Sequence, residues 1–129
     1  MTDPTEQDIL DAAAAIVDAF AATDGERYFA LFAPEASFVF HTEPQRLDRR
    51  EAYEALWQEW VASGWRVESC ASSDQLVTPM PGGAVFSHTV STSVVTPDGP
   101  ESYEERETIV FRASPAGLLA IHEHLSPKP

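Results

Sequence analysis

A chain of 129 residues with 43% hydrophobic composition can bury a core of its own, and one domain spanning residues 1–129 is expected. Its formal net charge of −13 sets a repulsive field against nucleic acid and anionic lipid, so neither is an expected partner. A single cysteine excludes an intramolecular disulfide, no apolar stretch approaches the roughly 20 residues of a membrane-spanning helix, and the first residues form neither a basic nor an apolar leader; a cytoplasmic protein is expected.

Asp3, Pro4 and Glu6 form a helix-start pattern of capping carboxylate, first-turn proline and a following acid. Ile9, Ala13, Ile16, Val17 and Phe20 then recur at three- and four-residue steps, which predicts a first helix to about Ala22. Thr23, Asp24 and Gly25 break it, and a short second helix carrying Tyr28, Phe29, Leu31 and Phe32 is predicted to stop at Pro34. Residues 36–41, with Phe38, Val39 and Phe40, predict a strand, and Arg46 and Leu47 a second short one after the turn at Glu43, Pro44 and Gln45. Asp48 and Glu51 read as a capping box for a third helix whose apolar stripe is Tyr53, Leu56, Trp57, Trp60 and Val61, closed by Gly64.

The period then changes from helical to extended. Segments 65–79, 84–96, 102–113 and 117–126 are separated by Pro- and Gly-rich turns and predict four strands in an antiparallel meander. Three helices followed by grouped strands, about six in all, indicate the α+β class.

Three segments carry a family resemblance: RLDRREAYEALWQEW at 46–60, ERETIVFR at 105–112 and AIHEHLSPKP at 120–129. With the element order, they resemble the nuclear transport factor 2-like superfamily and its SnoaL-like branch, and the last strand is also similar to the calcium/calmodulin-dependent kinase association domain. The resemblance implies a cone-shaped, curved antiparallel or mixed sheet wrapped around the helices, a ketosteroid isomerase-like architecture with a hydrophobic pocket, and a homodimer formed through the sheet face. It does not imply one activity, because the superfamily spans isomerases, dehydratases, cyclases, hydrolases and plain binding modules. Relatives commonly carry tryptophan near the start of the final strand, where this chain has Leu118.

Side-chain alternation groups His122, His124 and Ser126 on one face of the last strand, with Ile121, Glu123 and Leu125 on the other. In the preceding strand Arg106, Thr108 and Val110 share one face, and Glu105, Glu107, Ile109 and Phe111 the other. His122, Arg106 and His88 are the candidate catalytic residues: an imidazole exchanges protons near neutral pH, and a guanidinium fork receives a carbonyl or carboxylate oxygen. The competing reading gives each a structural role, His122 as a hydrogen bonder at the sheet edge or dimer contact, Arg106 in an ion pair with Glu104 or a neighbouring strand's acid, and His88 as a satisfied histidine between Phe86 and Val90. Tyr28, Phe32, Phe40, Trp57, Trp60 and His124 are the candidate ligand-binding residues, the aromatics doubling as core. Glu104, Glu105 and Glu107 read as solvated or interfacial rather than catalytic, although a dry pocket would turn one carboxylate into a general base.

His122, His124 and His88 are the residues a metal would use, but no Cys or acidic ligand motif accompanies them, and neither a metal nor another cofactor is expected. Cys70 lacks a local group to depress its pKa and reads as a small strand residue. Two functions follow. One is a cofactor-independent isomerase, cyclase or lyase moving a proton on a small apolar carbonyl compound; the other is a non-catalytic ligand-binding or dimerisation module.

Overall fold

In the computed structural model, which describes residues 3–129, three helices lie on the concave face of a five-stranded sheet. The elements run α1 (Glu6–Ala21), α2 (Gly25–Phe29), β1 (Phe32–Phe40), α3 (Arg50–Ala62), β2 (Arg66–Met80), β3 (Gly83–Thr96), β4 (Gly99–Ser114) and β5 (Gly117–Pro127). The sheet order is β1-β5-β4-β3-β2; β2 to β5 form the expected antiparallel meander, and β1 pairs parallel to β5. The α+β class and the cone-like architecture expected from the sequence are present. No helix among the described residues is long and apolar enough to cross a membrane.

Register shifts bend this sheet. One lies in β2 between Ser73 and Leu76, where Asp74 takes a positive φ of 54°, and another places an extra residue, Ile121, in β5 opposite the step from Val110 to Phe111. Each bulge increases local twist and curls the sheet around the helices. The second also resets alternation along β5: Ala120 pairs with inward Phe111, yet His122 pairs with outward Val110.

The core is the seam between helices and curled sheet. Ile9, Ala13 and Ile16 of α1 pack with Tyr28 and Phe29 of α2, Phe38 of β1, Tyr53 and Trp57 of α3, Phe86 of β3, and Ile109 and Phe111 of β4. Leu118 packs against this cluster. The aromatic rings meet edge-on or tilted in most pairs, while Tyr28 stacks on Trp57 with centroids 5.1 Å apart.

Helix starts differ from expectation by one or two residues. The α1 cap is Thr5, in a reciprocal box with Asp8, because Thr-x-x-Asp satisfies two orphan amides at once; Asp3 instead accepts a hydrogen bond from the Gly82 amide in the β2–β3 turn. Arg49 precedes α3 without a side-chain cap, since the Asp48 carboxylate is taken by the Arg46 guanidinium at 2.5 Å. The second helix ends at Phe29, and β1 begins at Phe32 and runs through Pro34. An edge strand tolerates proline where the ladder is already irregular, and β1 is irregular between Phe32 and Ser37. The sixth short strand is reduced to a bridge, with backbone hydrogen bonds joining Phe38 and Leu47 at 2.8 and 2.9 Å.

One contact pins the β3–β4 hairpin that supports the site. A Cβ added at Gly83 would lie 2.0 Å from the Phe111 carbonyl oxygen, a backbone atom that no rotamer change removes. Gly83→Ala is therefore expected to cost about 2–4 kcal/mol, read from the urea midpoint; a loss below about 0.5 kcal/mol would show that the strand pair yields there.

Candidate functional site

Strand alternation decides which side chains enter the cone. Burial of Phe86, Ile109 and Phe111 fixes the inward phase of β3 and β4, and the same phase turns His88, Glu105 and Glu107 inward. Past the bulge in β5, Glu123 and Leu125 point inward; Ile109 pairs with Glu123 and Glu107 with Leu125, so the two carboxyls are diagonal neighbours. Glu107 and Glu123 are 7% and 2% exposed, and their carboxyls are hydrogen-bonded to each other.

These groups face a cavity of about 470 Å³. Its walls are apolar, from Ile16, Val17 and Phe20 of α1, Phe40, Trp60, Trp65, Val90 and Val94, and its inner end holds Tyr28, Tyr53, Glu107 and Glu123. His41, Glu43, Glu101, Tyr103 and Glu105 line its more exposed side, and no lysine or arginine belongs to the lining. The His41 Nε2 lies 2.5 Å from Glu105 Oε2, joining the end of β1 to β4.

The polar inner end is one connected network. The Tyr28 hydroxyl donates to Glu123 Oε1 over 3.5 Å and lies 3.1 Å from the Tyr53 hydroxyl. His88 Nε2 is 2.6 Å from Glu107 Oε1, and His88 Nδ1 is 2.5 Å from Ser72 Oγ. Among the described residues, no buried side-chain nitrogen or oxygen lacks a partner.

Burial sets the protonation. It raises Glu107 to about 7; the Glu105 charge adds to that rise, while the hydrogen bond from Glu123 opposes it. Burial and then the neighbouring Glu107 push Glu123 well above the usual carboxylate range. Two like charges in one dry site cannot both form, so the pair holds one proton near neutral pH. Burial lowers His88 to about 4, and burial with the Glu123 charge raises both Tyr28 and Tyr53. Burial lifts the Cys70 thiol to about 11, which leaves it protonated and unreactive at the cavity wall.

The residues singled out from the sequence divide between the two faces of the sheet. Tyr28, Phe40 and Trp60 line the cavity; Phe32 and Trp57 lie in the core, where Trp57 backs Tyr28. His88 is inside and touches the carboxyl network without lining the cavity. Arg106, His122 and His124 are on the outer face, so Arg106, His88 and His122 do not converge on one cavity. The physical reason is the two-residue period: sending Glu107, Ile109, Glu123 and Leu125 inward sends Arg106, Thr108, His122 and His124 outward. On that face the His122 Nδ1 bonds Ser37 Oγ at 2.8 Å, burial and the adjacent His124 lower the His122 pKa, and the two rings sit 6.1 Å apart. Glu104 pairs with Lys128 at 3.7 Å rather than with Arg106.

Glu123 and Glu107 are the cavity groups that residue type alone conceals, because glutamate is ordinarily solvated. Their signal was the shared phase with Ile109, Phe111 and Leu125. Among the described residues, no three His, Cys, Asp or Glu side chains are grouped to hold a metal ion.

Comparison with known proteins agrees with this architecture. The SnoaL-like domain family model matches residues 9–128. An NTF2-like protein from Cytophaga hutchinsonii superposes with a TM-score of 0.82 at 14% identity, covering 97% of this chain and 100% of its own. An NTF2-like protein of unknown function in nutrient uptake from Rhodospirillum rubrum gives 0.81 at 20% identity, covering 94% and 98%. The CaMKII hub of S. rosetta gives 0.78 at 16% identity, covering 99% and 100%. At these identities the likeness is one of fold. A search of curated proteins found no match.

The carboxyl pair makes stability depend on pH with a definite sign. Folded Glu107 and Glu123 hold protons more tightly than the ordinary carboxyl at 4.5, so the folded state binds more protons and stability falls as pH rises from about 4.5 through 7. His88 acts oppositely between about 4 and its ordinary 6.5, where stability rises with pH. Over about pH 6.5–8, below the range in which the Cys70 thiol ionises in the unfolded chain, the carboxyl effect dominates and the urea midpoint of the wild type is expected to fall. The isosteric double variant E107Q/E123Q is expected to be flat across that window; an unchanged slope in the variant would contradict the assignment.

Proposed function

The chain belongs to the SnoaL-like domain family, a family of small-molecule pocket domains, and on that footing we propose that it moves a proton on a neutral, largely apolar carbonyl compound. The observation that carries this reading is an adjacent pair of buried carboxyls at the inner end of an apolar cavity, where burial disfavours a second charge near neutral pH. A general base works best when its pKa lies near the working pH, and Glu107 at about 7 meets that condition. Glu107 takes the proton from the carbon next to the carbonyl group. The oxygen that gains charge is held by the neutral hydroxyl of Tyr28, turned from Glu123, and by the Glu123 proton, turned from Glu107. Return of the proton from Glu107 to another carbon completes an isomerisation, and attack of the enolate on an internal electrophile completes a cyclisation; loss of a β leaving group completes a lyase reaction.

Ligand charge follows from the lining. Carboxylates at the open side and the absence of lysine or arginine disfavour an anion, and the aromatic and aliphatic walls favour a compact apolar body.

A second reading, a binding module that assembles through the sheet face, is favoured by the outer surface of β3 to β5. Val85, Val110, His122 and Ser37 lie in one cross-strand row there and Ser87, Thr108, His124 and Val39 in the next; of these only His124 is exposed, and the mixed apolar and hydrogen-bonding surface suits a second copy. The two readings are compatible, since the cavity and the outer face lie on opposite sides of the sheet.

The proton-transfer reading is tested with a panel of neutral cyclic and aryl ketones in heavy water, following deuterium incorporation beside the carbonyl by proton NMR. The wild type is expected to catalyse exchange with at least one ketone, and Glu107→Gln to lower that rate by about 10²–10⁴. Exchange unchanged in E107Q, or ketones that bind without exchange, would contradict it; the second outcome leaves a ligand-binding module.

A further inference from the structure

Glu107 and Glu123 are both glutamates in one buried pair, and the proposed chemistry requires that a particular one be ionised. Sheet geometry alone does not choose. What distinguishes them is the third partner: Tyr28 and its neighbour Tyr53 reach Glu123, whereas His88 reaches Glu107 and is itself held by Ser72.

With Glu107 ionised, one arrangement of donors satisfies every hydrogen bond in that chain. The Gln75 amide Nε2 donates to Ser72 Oγ over 2.9 Å, which leaves the serine's own hydrogen free for another acceptor. The partner in reach is His88 Nδ1, at 2.5 Å. An imidazole whose Nδ1 accepts carries its proton on Nε2, and that N–H donates to Glu107 Oε1 at 2.6 Å. The His88 side chain is fully buried, with the Phe86 ring 4.6 Å away between centroids, so the neutral form is also the one that burial favours. From the opposite side Tyr28 donates to Glu123 over 3.5 Å, a much longer bond than the 2.6 Å from His88 to Glu107, so the charge is better held on Glu107 and the shared proton runs from Glu123 to Glu107. Donors therefore converge from both directions on Glu107, the one group in the chain that accepts without donating.

We propose that Ser72 and His88 are positioning residues that lock the Nε2–H tautomer against Glu107 and thereby make Glu107, rather than Glu123, the ionised base. This inference rests on the proton-transfer reading above for its purpose, though not for its measurement. Ser72 and His88 stand outside the cavity lining and touch no ligand; they act through the carboxylate. Their arrangement is that of a hydroxyl orienting an imidazole, with the serine as the orienting group and the carboxylate as the working one.

The other titratable groups around the pair do not supply this choice. Glu105 on β4 repels both carboxyls and is bonded to His41; Cys70 on β2 is a neutral thiol, and Tyr53 on α3 reaches Glu123 only through Tyr28. Helix α1 presents Ile16, Val17 and Phe20 to the cavity and no charge.

The test is nitrogen NMR of protein labelled with ¹⁵N-histidine, with the carboxyl pair followed by ¹³C labelling of glutamate. In the wild type at neutral pH, His88 is expected as the neutral Nε2–H tautomer. Ser72→Ala removes the donor to Nδ1, frees the other tautomer, and lets Nε2 accept from a protonated Glu107. The Nε2–H signature should then be lost or mixed, and the midpoint of the pair should move up by about one pH unit, a tenfold tighter hold on the proton. Ser72→Thr keeps the hydroxyl and is expected to restore both readouts, which a merely structural role would not require. A wild-type His88 found as the Nδ1–H tautomer or as imidazolium overturns the proposal even if S72A fails to fold, and so does an S72A spectrum and midpoint identical to wild type. If instead the tautomer is as stated but E107Q leaves ketone exchange unchanged, the proton-transfer reading fails and the positioning of Glu107 stands.

Discussion

Two-residue alternation in β4 and β5 is the constraint on which the rest of this protein depends. Ile109 and Phe111 are essentially inaccessible, as is Phe86 opposite them, and a slip of one residue would expose all three. Holding those rings inside forces Glu107 inward on the same strand. The bulge at Ile121 then keeps both Ala120 and Glu123 inward although they are three residues apart, an odd separation that strict alternation forbids. The site is thus a by-product of packing in one strand and of a single extra residue in the next.

The electrostatics follow from that placement. Removing a carboxylate from water is costly, and removing two side by side is much more so; the chain meets this by keeping one protonated and surrounding the other with donors. Tyr28, Tyr53, His88 and Ser72 come from α2, α3, β3 and β2, so four elements contribute to the hydrogen-bonded network that Tyr28 and His88 join to the two carboxyls on β4 and β5. Such a network costs stability at neutral pH relative to an apolar floor.

The fold was legible in the sequence because its signals are local. Helical spacing of Ile9, Ala13 and Ile16, and Pro- and Gly-rich turns between β-branched runs, placed the helices and the four long strands to within a few residues of where they lie. The misplacements occurred where two local signals compete. Thr5 and Asp3 both offer a cap, and Pro34 ends a helix in most settings but sits in an edge strand here. The site was legible only as a parity. Sequence spacing separated the His122 and His124 face from the Glu123 and Leu125 face correctly, but which face enters the cone depends on pairing with Phe86 and Ile109 across the sheet. Histidine pairs on a strand attract a catalytic reading because of their chemistry, but here they lie on the outer face and the glutamate between them faces the cavity.

The central claim is that Glu107 and Glu123 share one proton in a dry site at neutral pH. Neutron diffraction from a deuterated crystal grown near pH 7 would test it most directly. The account predicts a single deuteron between the two carboxyls, bonded to Glu123, with a second on His88 Nε2 directed at Glu107. Two deuterons on the pair, none, or carboxylates separated by solvent would contradict it.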